Sequence, residues 1–134
     1  MDTSKEYIKM CERAGEIQKL VPVNLQGHHY RWDNHIHILE GEYYYWKIEI
    51  HEIDKEKIWL PRQDQLQEMV GKYESCVISF FDYLKNNTGG WRDGSDGFAD
   101  PDIYEKFTSM EQLWLAFVMK EKFNKTWNGK DWLV

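Results

Sequence analysis

All five histidines fall between positions 28 and 51, at His28, His29, His35, His37 and His51. Imidazole nitrogens and carboxylate oxygens on neighbouring strands can hold zinc or a similar divalent ion. His35 and His37 are two apart, so on a strand they share a face. His28, His29 and His51 could approach them across a β-meander, and Asp33 or Glu40 could add an oxygen. His35, His37 and His51 are therefore the candidate metal ligands, and zinc is the ion they would take. Their spacing matches no defined metal motif, and no cysteine lies nearby. The plainer expectation is a wet sheet face with no cofactor. A histidine base would also need a nucleophile, and none is placed by the sequence.

A second chemical candidate is the stretch from Asp93 to Asp102, acidic and rich in glycine. A calcium loop of the EF-hand type needs glycine at its sixth position and glutamate at its twelfth. Counted from Asp93, Gly97 falls one place early and Tyr104 occupies the last place. A solvated turn is the expectation. Trp91, Arg92 and Phe98 lie in or beside this loop. They could anchor a partner or stack on a base, or simply pin the loop to the domain.

The chain has no glycine-rich nucleotide loop, no HExxH and no GxSxG. No catalytic residue is assigned, and a non-enzyme is expected. The formal charge is −6, which argues against phosphate backbones as the source of binding energy. Residues 86–105 carry five acids against one Arg, and residues 120–132 carry four Lys against two acids. No segment is apolar enough for a membrane span, and residues 1–6 lack a signal-peptide stretch. The expected location is cytoplasmic. Cys11 and Cys76 share no CxxC spacing and are expected as reduced core residues.

The elements that must position these groups read as α+β in one domain, residues 1–134. Thr3 and Glu6 form a capping box. Tyr7, Met10, Cys11, Ala14, Ile17 and Val21 then follow helical spacing, predicting a helix over 4–20 that Pro22 ends. Residues 23–60 predict an antiparallel meander of three or four strands. The clearest is Glu42–His51, with Tyr44, Trp46, Ile48 and Ile50 on one face and Tyr43 and Tyr45 on the other. His35–Leu39 and Lys57–Leu60 are its neighbours, and His29–Trp32 is a weaker candidate. Glu40-Gly41 and Asp54-Lys55 supply turns.

Pro61 opens the next element. Leu66, Met69, Val70, Tyr73, Val77, Phe80, Phe81 and Leu84 give one helical face over 62–86, with Gly71 as a place for a break. Ser109 and Gln112 form a second capping box, and Met110, Leu113, Trp114, Phe117 and Val118 predict a helix over 110–123. The helices should pack on one face of the sheet, with Leu66, Met69, Phe117 and Val118 meeting Tyr44, Trp46, Ile48 and Ile50. Asn128-Gly129 signals a short terminal hairpin whose Trp127 and Trp132 close on the last helix.

Three blocks carry a resemblance: Ser4–Cys11, then Trp59–Val70 with its Trp59-Leu60-Pro61 and Gln65-Leu66-Gln67-Glu68-Met69, then Ser109–Trp132. In that order they resemble small uncharacterised proteins of bacteriophages and prophages. The resemblance covers about half the chain and omits the histidine meander and residues 86–101. It implies origin, and it carries no reaction, cofactor or site residue. The resulting expectation is a non-catalytic phage or prophage accessory protein that binds another, unidentified protein. Alternatives are a metal-binding protein or metal-dependent enzyme on the histidine face, and single-stranded nucleic-acid binding through loop aromatics. The chain holds seven Trp, eight Tyr and six Phe. Periodicity assigns Tyr44, Trp46, Tyr73, Phe80, Trp114 and Phe117 to the core. Tyr43, Tyr45, Trp91, Arg92 and Phe98 remain as candidate contact residues, with Trp132 in the tail.

Overall fold

Ser4, not Thr3, starts the first helix. Its hydroxyl accepts from the Tyr7 amide at 3.2 Å, which satisfies one of the donors a helix start leaves open. The computed structural model describes residues 1–21, 28–32, 35–38, 57–71, 73–87 and 107–134. Among these, α1 spans Lys5–Arg13 and α2 Gly15–Gln18. Strands β1 (His29–Trp32), β2 (His35–Ile38) and β3 (Ile58–Leu60) follow. Helices α3 (Gln63–Val70), α4 (Tyr73–Asn87) and α5 (Met110–Phe123) come next, then β4 (Thr126–Trp127) and β5 (Trp132–Leu133). The class is α+β with a C-terminal hairpin. No helix among the described residues is long and apolar enough to cross a membrane.

The single helix expected over 4–20 is two. At Ala14 the backbone turns to ψ 66° and its N–H donates to the Cys11 carbonyl at 3.1 Å instead of continuing the α pattern. Gly15, a poor helix former, follows. The apolar spacing survives the break because Tyr7, Met10, Cys11, Ala14 and Ile17 are all fully buried.

The weaker strand candidate, His29–Trp32, is the middle of the three-stranded sheet, whose order is β2-β1-β3 and whose pairs are antiparallel. The register sets Tyr30 opposite His37 and Trp59, and Arg31 opposite Ile36 and Ile58. Directly opposed residues share a face, so Arg31, Ile36 and Ile58 lie on one side. The expected strand Glu42–His51, its Tyr44–Ile50 register and the turns around it lie outside the described residues. Helix α1 packs against β3, and the Tyr7 hydroxyl donates to the Pro61 carbonyl just after it. The Gln18 side chain completes the other edge of β3. Its amide accepts from the Trp59 N–H at 2.9 Å and donates to the Trp59 carbonyl at 3.0 Å. One side-chain amide therefore does for Trp59 what a neighbouring strand would do.

Helix 62–86 is broken at Gly71, whose φ of 125° favours glycine. The break resets the helical phase. Cys76, Phe80, Tyr83 and Leu84 turn inward, while Val77 and Phe81, expected in the core, turn outward.

Helix α5 has the bounds its spacing predicts. Residues 112–119 are buried without a gap, as in a helix surrounded on all sides. It packs against α3, α1 and β4. On α4, the Phe80 ring stacks on Trp114 with centroids 3.8 Å apart, and Phe117 meets Phe80 and Tyr83 at 5.3 Å each. Ser109 caps α5 as expected, accepting from the Gln112 N–H at 3.2 Å.

The starts of α1 and α5 share one carboxylate. Asp2 accepts from the Ser4 N–H, the Ser109 hydroxyl and Gln112 Nε2. Burial works to raise the Asp2 carboxyl, but hydrogen bonds from Ser109, Ser4 and Gln112 outweigh it and hold the group below its ordinary value. An anion at helix N-termini is also favoured by the helix dipoles.

The terminal hairpin is present, with Trp127 paired to Trp132, but its loop has four residues rather than two. Asn128 Oδ1 accepts from the Lys130 and Asp131 amides at 2.8 Å each, and Gly129 takes a φ of 93°. The two indole N–H groups close on the first helix, not the last. Trp127 donates to Glu6 and Trp132 to the Met10 carbonyl, both at 3.0 Å. Trp132 is buried, so it leaves the set of candidate contact rings. Cys11 and Cys76 are buried free thiols.

Candidate interaction surfaces

On α4, Val77, Ile78 and Phe81 are 60, 63 and 49% exposed. Phe81 lies three residues from Ile78 and four from Val77, so it neighbours both on the helix surface, away from the side that packs on Trp114 and Phe117. Glu74, Asp82 and Lys85 are exposed around these three. An apolar centre within a charged rim is the usual anatomy of a protein-binding patch. Periodicity alone assigned Val77 and Phe81 to the core. The signal that could have found the stripe is the run Cys76–Phe81, too apolar for one helical face to absorb.

A second surface is a groove of about 520 Å³ between α1 and the β1–β2 pair. Lys5, Ile8, Lys9 and Glu12 reach it from α1, and Arg31 and Ile36 from the sheet. Arg31 lies 3.9 Å from Glu12. Lys9 donates to the Gly129 carbonyl at 2.6 Å and stands 5.6 Å from the Trp127 ring centre. None of the charged residues here was singled out by the sequence, because their charges look like those of any solvated helix face.

The third cluster surrounds the start of α3. Arg62 makes two bonds to Asp64, at 3.0 and 2.9 Å. Gln65 Oε1 accepts from the Arg62 N–H at 2.8 Å. That bond fixes the amide, so Gln65 Nε2 faces His28, 2.9 Å from Nδ1 and 3.3 Å from Nε2. An amide NH₂ only donates, so the facing ring nitrogen must accept and His28 must be neutral. Burial chiefly, then the Arg62 charge, lowers the proton affinity of His28, and the same two causes lower that of His29. Neutral histidines and a committed arginine make this a structural cluster.

Its pH consequence has a definite sign. Because the folded state binds protons less readily than the unfolded chain, stability is full above the unfolded histidine value of about 6.5 and falls as pH drops through it. The loss continues until the folded-state values are reached. Asp2 acts the same way but below its ordinary value of 3.8, so the two windows separate. Urea midpoints should therefore decline between pH 7 and 5, and a His28→Gln, His29→Gln double variant should flatten that decline. An unchanged slope in the variant would contradict this assignment.

Of the sequence candidates, His35 and His37 occupy β2 two positions apart, at register places opposite Trp32 and Tyr30. His35 is exposed. His51, Tyr43, Tyr45, Trp91, Arg92 and Phe98 lie outside the described residues, as does the Asp93–Asp102 loop. Among the described residues no group of three His, Cys, Asp or Glu side chains is arranged to hold a metal. Comparison of the chain with protein-family models, curated proteins and solved structures finds no match.

Proposed function

We propose that this chain is a non-catalytic accessory protein that acts by binding another protein, and that its origin is a phage or prophage. The origin rests on the three-block sequence resemblance alone. The binding function rests on one observation: Val77, Ile78 and Phe81 form an exposed apolar stripe on a helix whose opposite side is already used for the core. Val77 and Ile78 keep more than half of their surface in water, and a partner that covers them recovers part of the roughly 1.5–3 kcal/mol that full burial of such a side chain supplies. The flanking Glu74, Asp82 and Lys85 would set orientation and exclude near-matches.

Affinity capture from the cells that make the protein tests this reading. Ile78→Glu places a charge at the centre of the stripe. At 63% exposure it should leave the urea midpoint within about 0.5 kcal/mol of the parent. It should weaken partner retention by at least about 30-fold, the loss of a central contact of 2 kcal/mol. Equal retention by parent and variant would refute the proposal.

A further inference from the structure

Glu74, Ile78, Phe81 and Lys85 are all exposed on α4. Their spacings of four, three and four are those of a coiled-coil seam, so they form one row along the helix. Cys76 and Tyr83, both buried, lie on the opposite side, so the row points away from the core. From this row we infer that, in the absence of its partner, the α4 stripe is covered by a second copy of the same chain, with the two α4 helices antiparallel. The inference rests on the reading of the stripe as a binding surface and names what occupies that surface at rest.

The row is complementary to itself when reversed. About a twofold axis between positions 79 and 80, each Ile78 meets the second copy's Phe81, and each Glu74 meets the second copy's Lys85. Two apolar layers form the centre, and an opposite-charge pair closes each end. A parallel pair would set Glu74 on Glu74 and Lys85 on Lys85, and like charges repel. The charges therefore select the antiparallel arrangement. Glu74 in the first turn and Lys85 in the last also suit the dipole of a lone helix. A lone helix, however, has no use for an exposed apolar pair between them on the same row. Among the described residues, neither Glu74 nor Lys85 makes an ion pair within the chain. Helix α4 has 15 residues, a length of about 22 Å. One such helix pair covers less than the roughly 1,200 Å² at which stable interfaces begin. Its dissociation constant should lie at about 10 µM to 1 mM, a cover that a tighter partner displaces.

Sedimentation equilibrium of the full chain, over a concentration series spanning that range, tests the inference. The parent should pass from monomer to dimer, and Ile78→Glu should stay monomeric. Glu74→Lys and Lys85→Glu, each at an exposed position, should weaken dimerisation about tenfold, because both end pairs turn from attraction to repulsion. An equimolar mixture of these two variants should regain the parent's affinity, since one chain of each restores an opposite-charge pair at both ends. Charge variants that dimerise as the parent does, or a mixture no tighter than either variant alone, would overturn the inference. A parent that stays monomeric throughout, yet retains a cellular protein through Ile78, would overturn the second-copy cover and leave the proposed function standing. A parent that dimerises in this pattern but retains no cellular protein would sustain the cover and sink the proposed function.

Discussion

Replacing Phe117 with Ala should cost about 3–5 kcal/mol of stability, the range for deleting a well-packed aromatic. Phe117 is fully buried, on a helix with no wet side between residues 112 and 119. Its ring joins the two halves of the aromatic core, touching Trp114 at 5.6 Å on its own helix and Phe80 and Tyr83 on α4. Phe80 is already stacked on Trp114 at 3.8 Å, which holds it back from collapsing into the space. Phe117→Leu retains much of the volume and should lose clearly less. Urea unfolding followed by far-UV circular dichroism measures both. A loss under about 1 kcal/mol for Phe117→Ala, the level of an ordinary single substitution, would mean that α4 does not pack as described.

Trp132→Ala should be comparably severe, at about 3–5 kcal/mol, although only Leu133 and Val134 follow Trp132 in the sequence. Two effects combine. The indole is 7% exposed and packs 5.0 Å from Trp127. Its N–H also completes a helix end. Because the Ala14 amide turns to the Cys11 carbonyl, the Met10 carbonyl loses the partner an unbroken helix would supply, and Trp132 Nε1 takes that place at 3.0 Å. Met10 is fully buried, so water cannot substitute. Trp132→Phe separates the effects. It keeps most of the packing, leaves the carbonyl without its donor, and should cost about 1–3 kcal/mol. If Trp132→Ala unfolds at the parent's urea midpoint, the hairpin is not a fastener between the two ends of the chain.

These two positions show which parts of the fold can be read directly from residue order. Phe117 is legible because α5 carries both a helix period and a capping serine, and local signals agree with the packing. The hairpin at Trp132 is legible as a hairpin through Asn128-Gly129, but its docking on α1 depends on a carbonyl freed by a break 118 positions earlier. No local pattern encodes that. The break at Gly71 is a middle case. The glycine marks the place, yet which of Val77 and Cys76 turns inward depends on the phase of the second helix, set by its contact with Trp114. Likewise β1 looks weak in sequence because its core face is short, and it is central because both neighbours pair with it. Gln18 is the least legible of all, since a polar helix residue carries no mark that its amide will complete a strand.

The candidate site divides in the same way. Composition pointed to surplus aromatics as contact groups, but most of the described rings are spent on the core: Trp59, Trp114, Phe117, Trp127 and Trp132 are all buried. The exposed apolar surface is instead largely aliphatic, at Val77 and Ile78 beside Phe81. The groove cations went unmarked because charge on a helix is ordinary until the strand facing it is known.

Site-specific photo-cross-linking tests the proposed binding function most directly. A photoreactive residue replaces Ile78 in one variant and Glu121, exposed on α5, in another, and both are irradiated in the cells that make the protein. A discrete adduct with one partner protein is expected from position 78, none from position 121, and loss of the adduct when Phe81→Glu is added. Equal, diffuse labelling from both positions, or an adduct indifferent to Phe81→Glu, would contradict the proposed function.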